Sequence, residues 1–487
     1  MGIVIKQSFK NIIATYIGFA FGAINTLFLY VYFLEGTYYG LIVFLLSTAN
    51  ILSPLLSFGA QHALLKFHSF YDDKIARNKL ITTLLFLPII SVILVSGLLY
   101  FFKTPIVSWL TLKNTLIGNY IWLLLLIAVF MAYFEVFYAL ARVQYQTVIG
   151  NAIKEIFLRV IVMILLFLVY FKVLTPDGFI YALSGAYFVR AFLMFVYAMR
   201  ISDFKIDFAV PPHFVKIIKY ALFIVLTFSV TAIFFDIDKF MIPIYKELKS
   251  NAFYSVAIFI AMVIEVPARA MRQILWPMTA KALNDNNTKE LLYLYKESSI
   301  NLLIVGGLLY LLILLNIQDL YLMLPPKYSG GLLVVFMISF SKLYEVSLGN
   351  NDAILYNSNA YTSLVVFGVF LVISMILLNN YFIPKYGIEG AALATLITMF
   401  LYSTIKLIFV KIKFGMQPFT WHTFYVFIVI KTLLLAFLFI PIPFNPILNI
   451  VLRSVVVALL YLIVIFFMKA SPSFNALLVK TALQFRK

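Results

Sequence analysis

Fourteen apolar stretches, each about as long as a bilayer is thick, run one after another along this chain. They fall near 12–34, 38–60, 80–102, 118–141, 156–174, 178–200, 214–236, 251–275, 299–318, 329–349, 361–383, 387–410, 422–442 and 447–469. About 20 residues of helix cross the hydrocarbon core. The windows are too long for strands and show no apolar–polar alternation, so helices are expected, not a barrel. The expected fold is an all-α polytopic membrane protein of about 14 transmembrane helices, within bounds of about twelve to fourteen. Composition closes the other options. The chain is 64% hydrophobic and 11% charged, against about half and a quarter in soluble domains. That balance excludes a soluble enzyme, a DNA-binding protein and a disordered chain.

Cysteine is absent, which removes disulfides, thiolate nucleophiles and thiolate metal ligands. The first apolar run is longer than a signal-peptide core and no small-residue cleavage site follows it, so it reads as a retained span. The net charge of +18 does not call for nucleic acid in such a chain. It bears on topology instead. With the N-terminus in the cytoplasm, about 24 Lys and Arg fall on the cytoplasmic side and about 8 on the other. Both termini are then cytoplasmic, in a multi-pass protein, and most of the excess charge meets anionic headgroups. The longest loops, near 66–80, 200–213 and 276–298, are all on that side and leave no room for an extramembrane catalytic domain.

A repeat is visible at an offset of about 209 residues. Gly178-Phe-Ile-Tyr-Ala182 opens the sixth window and Gly387-Ile-Glu-Gly-Ala391 the twelfth, each after a nearby proline, Pro176 or Pro384. Two six-helix lobes in parallel repeat plus two C-terminal helices fit that spacing. The expected divisions are 1–212, 213–413 and 414–487, the last holding two helices and a cytoplasmic tail.

Ionisable side chains inside a bilayer cost about 2.5–3.5 kcal/mol on the insertion scale and tend to face an interior or a wet cavity. Here they include Glu135, Arg159, Arg190, Glu265, Arg269, Arg272, Lys342, Glu345, Lys431 and Arg453. Glu155/Arg159 and Glu265/Arg269 are spaced i,i+4, and Lys342/Glu345 i,i+3, so each set shares a helical face. Such pairs either serve only to let the helix insert or line a functional cavity. Arg269 and Arg272 have one acid, Glu265, within reach on their own helix. The surplus charge suits a phosphate or diphosphate, which Arg binds bidentately; the plainer reading is snorkelling to headgroups. Lys431 and Arg453 read as snorkelling or lipid-facing. Asn25, Asn50 and His62 are polar candidates for a cavity or gate. Asp236 and Asp238 end the seventh span, where they either bind a cation or answer Lys239. The only Asp-Asp, Asp72-Asp73, lies in a basic loop, and no phosphate loop or hydrolase cluster is present, so no enzyme is expected. No cofactor or metal is called for.

Several stretches resemble one family. Gly36-Thr-Tyr-Tyr-Gly40 with Ser57-Phe-Gly59, Ile237-Asp238-Lys239 with Ala252-Phe-Tyr254-Ser-Val-Ala257, Pro277, and Pro326-Lys-Tyr328 are similar to features of polysaccharide-biosynthesis exporters. The clearest is Ile383-Pro-Lys-Tyr-Gly387-Ile-Glu-Gly390-Ala-Ala392-Leu-Ala-Thr395. The chain thus resembles the exporter branch of the multidrug/oligosaccharidyl-lipid/polysaccharide (MOP) superfamily over its whole length. The resemblance implies a flippase with two six-helix lobes and two added helices in the bacterial cytoplasmic (inner) membrane. It would carry an undecaprenyl-diphosphate-linked oligosaccharide, an O-antigen, lipopolysaccharide, capsule or exopolysaccharide unit, from inner to outer leaflet by alternating access. Its partners would be that lipid-linked substrate, the bilayer, a glycan polymerase and other assembly proteins. Relatives have a cationic cavity, and by position Arg269, Arg272 and Lys66 fall where such cations lie, with Asp238 on an acidic position after span seven. Two departures stand out. The first span ends Leu29-Tyr-Val-Tyr-Phe-Leu34-Glu35 without the Arg many relatives carry, and it lacks the acid of drug/proton antiporters. Peptidoglycan-precursor flippase, multidrug or cation antiporter and membrane glycan enzyme are the alternatives.

Overall fold

The computed structural model describes residues 2–358, 360–440 and 444–476. The end of the expected cytoplasmic tail, with Lys480, Arg486 and Lys487, lies outside the described residues. All regular elements among them are helical.

Among the described residues, thirteen helices are long and apolar enough to span: α1 Ile13–Phe33, α2 Gly36–Ser57, α3 Lys74–Phe101, α4 Thr115–Val143, α6 Pro176–Ile201, α7 Phe214–Tyr245, α8 Leu248–Arg272, α9 Thr288–Leu322, α10 Pro326–Ser347, α11 Ser363–Tyr386, α12 Ile388–Phe414, α13 Trp421–Leu438 and α14 Pro446–Phe467. The remaining expected window is also helical. It is α5, continuous over 148–170, but Lys154, Glu155 and Arg159 crowd its first half and lower its apolarity. Short helices Ala60–Phe67, Lys103–Thr111 and Asn351–Asn357 lie between spans.

The boundaries follow local chemistry. The Asp73 carboxylate accepts from the backbone N–H groups of Ile75 and Ala76 and starts α3. Thr175 caps α6, with Pro176 in its first turn, where the missing N–H costs nothing. Asn287 and Asn445 cap α9 and α14 in the same way. Gly387 separates α11 from α12 at φ 62°, ψ −132°, a conformation closed to side-chain-bearing residues.

The chain forms two compact units, Met1–Ser255 and Val256–Lys487, whose boundary falls within α8. In the first, α2 packs against α4 and α7, and α4 against α6. In the second, α9 packs against α10, α13 and α14, while α11 and α10 each pack against α12. α7 therefore packs with the first unit.

Asp236 and Asp238 do not end a span. α7 runs to Tyr245, and both acids are buried within it. The helix tolerates them because Lys239 Nζ donates to Asp236 at 2.8 Å and the Tyr254 hydroxyl donates to Asp238.

Candidate functional site

Among the described residues, the densest charged cluster belongs to the second unit, and α8 creates it. Pro267 has no N–H to donate to the carbonyl four residues back. The helix tightens into a 3-10 turn over Val263–Glu265 and then continues as Val266–Asn284. Glu265 closes that turn, with its side chain only 4% exposed. A buried carboxylate needs cations and hydrogen bonds to offset its desolvation. Three cations supply them: Lys342 Nζ at 3.1 Å, Arg269 Nε at 3.4 Å and Arg272 Nη1 at 3.5 Å.

Lys342 comes from α10 and is itself buried. It divides its donors between Glu265 and Glu345, the latter at 2.8 Å. The i,i+3 pair read from the sequence is thus part of an interhelical triad. With Arg269 and Arg272 the cluster carries three positive and two negative charges. The two arginines keep side-chain exposures of 46% and 31%. Each guanidinium has five N–H donors, and one N–H group cannot exhaust them. The cluster therefore presents spare Arg donors on a surface whose anchor is buried, which suits an oxyanion with several oxygens. Around it, Lys406 on α12 holds Asp352 at 2.7 Å with its own side chain 4% exposed. Lys406 is thus a buried ion-pair partner within α12.

The first unit holds a second set of charges. Lys154 pairs with Glu135 at 2.6 Å and Arg159 with Glu155 at 2.8 Å. Asn25 Nδ2 donates to the Arg159 carbonyl at 2.7 Å. Asn25 lies in a π-helical stretch of α1, Ile24–Leu29, and Arg159 lies just past one in α5, Ile153–Phe157; this local form is common at functional sites. Arg190 is buried with its guanidinium 3.8 Å from the Phe134 ring centroid.

The other expected residues are more dispersed. Lys66 is exposed in the first unit, its Nζ 3.9 Å from the Tyr220 ring centroid. His62 stacks on Phe228 at 3.7 Å between centroids. Asn50 is exposed on α2. Arg453 corrects its expectation: it is not lipid-facing but pairs with Asp319 of α9 at 2.8 Å, both side chains 10% exposed. Asn449 donates to the same carboxylate at 3.0 Å, so α14 is tied to α9 by a buried polar clamp. Lys431 is exposed. The sequence named neither Asp319 nor Asp352, because each finds its cation on a helix distant in sequence.

The fold has solved counterparts. A lipid II flippase, MurJ, in an inward closed conformation matches at a TM-score of 0.68 and 15% identity, over 93% of this chain and 98% of that one. An inward-facing multidrug resistance MATE family transporter of the MOP superfamily matches at 0.63 and 14%, over 84% and 94%. A MOP superfamily transporter from Pyrococcus furiosus matches at 0.57 and 13%, over 85% and 95%. No family model matches the sequence. No curated protein matches it either. At these identities the likeness establishes a shared fold.

Proposed function

We propose that this chain, built on the fold of a lipid II flippase and of multidrug transporters, is a flippase for an undecaprenyl-diphosphate-linked oligosaccharide. It moves the unit from the inner to the outer leaflet of the bacterial cytoplasmic membrane by alternating access. The observation that carries this reading is the Glu265 cluster, with three cations on one buried carboxylate and two of them arginines with spare donors. A diphosphate cannot cross about 30 Å of hydrocarbon unaided. It needs a cationic surface while its polyprenyl tail stays in lipid.

In this account Arg269 and Arg272 hold the diphosphate, and Lys66 is a separate candidate cation in the first unit. Lys342 and Glu345 line the route and exchange partners as two six-helix lobes rock, with α13 and α14 as additions. Glu135, Arg159, Asn25, Asn50 and His62 line or gate the path in the first unit. Asp236 and Asp238 are the candidates for ion coupling. Both termini are cytoplasmic, and the glycan is an O-antigen, capsule or exopolysaccharide unit destined for a polymerase. A peptidoglycan-precursor flippase is the second reading, favoured by the likeness to MurJ over 93% of the chain. A drug antiporter is less well supported, since α1 carries no carboxylate.

Lipid-linked oligosaccharide and surface glycan measured in a depletion strain test the reading. Accumulation of the intermediate with loss of surface glycan supports it. Lysis with accumulated peptidoglycan precursor favours the second reading. No change in either pool, with increased drug sensitivity, would replace both with efflux.

A further inference from the structure

The linker between α6 and α7 forms neither helix nor strand over 202–210. Its sequence alternates, with Phe204, Ile206, Phe208 and Val210 at even positions and Lys205 and Asp207 between them. In an extended chain such residues take opposite faces. Ile206, Phe208 and Val210 are all exposed. The segment is nonetheless fixed. The Asp207 N–H donates to Thr82 Oγ1 at 3.0 Å, and the Phe208 ring lies 5.1 Å from that of Phe86, one turn further along α3. The linker is thus a strap that follows a spanning helix and adds three large apolar side chains to its exposed surface. Exposed apolar rows mark contact with a bilayer or with another protein, and this row continues the surface of a spanning helix, where the bilayer lies.

Beside the strap lies a cleft of about 250 Å³ lined by Lys74, Arg77, Asn78, Gln144 and Asp203. It sits at the first turn of α3, just past the ends of α4 and α6, at the edge of the spanning region. Arg77 gives Nε and Nη2 to the Tyr71 carbonyl, at 3.3 and 2.8 Å, which fixes the guanidinium and leaves Nη1. Lys74 and Asp203 are both exposed and both line the cleft. The cleft therefore offers two cations and one carboxylate at the bilayer edge.

We propose that this cleft seats the headgroup of phosphatidylethanolamine. The phosphate lies against Lys74 and Arg77, the primary ammonium against Asp203, and the acyl chains over the strap and α3. Both signs in one cleft favour a zwitterion. The ammonium of phosphatidylcholine has no N–H to donate to Asp203, and phosphatidylglycerol has no cation for it. Since water occupies about 30 Å³, the space suffices for a phosphoethanolamine group.

Native mass spectrometry of the full-length protein in detergent tests this. It is titrated separately with phosphatidylethanolamine, phosphatidylcholine and phosphatidylglycerol of matched chains, and with inorganic phosphate. The wild type is expected to bind phosphatidylethanolamine at least about threefold more tightly than phosphatidylcholine. Lys74→Gln weakens it about fivefold, the worth of one basic residue at a lipid surface. Asp203→Asn removes the preference over phosphatidylcholine without weakening phosphatidylglycerol. Lys113→Gln, an exposed lysine elsewhere in the first unit, leaves all of these unchanged. Equal binding of the ethanolamine and choline lipids by the wild type overturns the proposal. So does insensitivity to Lys74→Gln, or full displacement of the lipid by inorganic phosphate. Lys74 and Asp203 are surface side chains, so both variants keep the fold, and an unchanged thermal midpoint verifies that.

Discussion

Glu265 and Lys342, 77 positions apart in sequence, meet at 3.1 Å with both side chains more than nine-tenths buried. This contact turns two local spacings, one on α8 and one on α10, into a single interhelical cluster. Removing its central acid strands the cations around it. Glu265→Gln is expected to destabilise the protein by about 3–5 kcal/mol, the usual cost of breaking a buried pair. Thermal unfolding in detergent would show a lowered midpoint, and an unchanged midpoint would mean that Glu265 does not anchor the cluster.

The two arginines should behave differently, because both are partly exposed and Glu265 keeps Lys342 without them. Arg269→Ala with Arg272→Ala is expected to leave protein level and thermal midpoint close to wild type. Substrate transport should fall at least about tenfold, since each charge-assisted hydrogen bond contributes about 1.5–3 kcal/mol. Normal transport at normal protein level would remove them from the diphosphate site.

Lys342→Met with Glu345→Gln removes the α10 pair while Glu265 retains Arg269 and Arg272. Folded protein with impaired transport is the expected outcome, read as membrane level against flux. Wild-type flux would show that the pair serves insertion only.

The sequence made the helices readable because apolar length is a local property. It also made Glu265/Arg269 and Lys342/Glu345 readable, because i,i+4 and i,i+3 spacings are local too. What it concealed was the partner on another helix. Arg453 looked lipid-facing until α9 supplied Asp319. Asp236 looked like the end of α7 because an acid in an apolar run normally stops a span. Lys239, one turn on, lets the helix continue.

The clamp between α14 and α9 should be structural. Arg453→Leu leaves Asp319 buried with Asn449 alone and is expected to cost about 3–5 kcal/mol. Adding Asp319→Leu should recover most of that loss, because an apolar replacement of a whole buried pair is often neutral. A double variant no more stable than the single one would contradict this role.

Gly40 on α2 has no space for a side chain, since a Cβ would lie 1.8 Å from the Leu248 carbonyl oxygen. Gly40→Ala must push two backbones apart. A loss of about 1–3 kcal/mol or more is expected from such overpacking, visible as a reduced thermal midpoint. A midpoint equal to wild type would mean that the two helices do not approach this closely.

Flipping in proteoliposomes tests the central claim most directly. Purified protein is reconstituted with a fluorescent undecaprenyl-diphosphate oligosaccharide, and the fraction exposed to an external glycan-cleaving enzyme is followed in time. The account predicts that wild-type protein exposes the substrate well above empty vesicles and that Arg269→Ala with Arg272→Ala returns it near that background. Exposure no faster than in empty vesicles, from protein that is folded and correctly inserted, would contradict it.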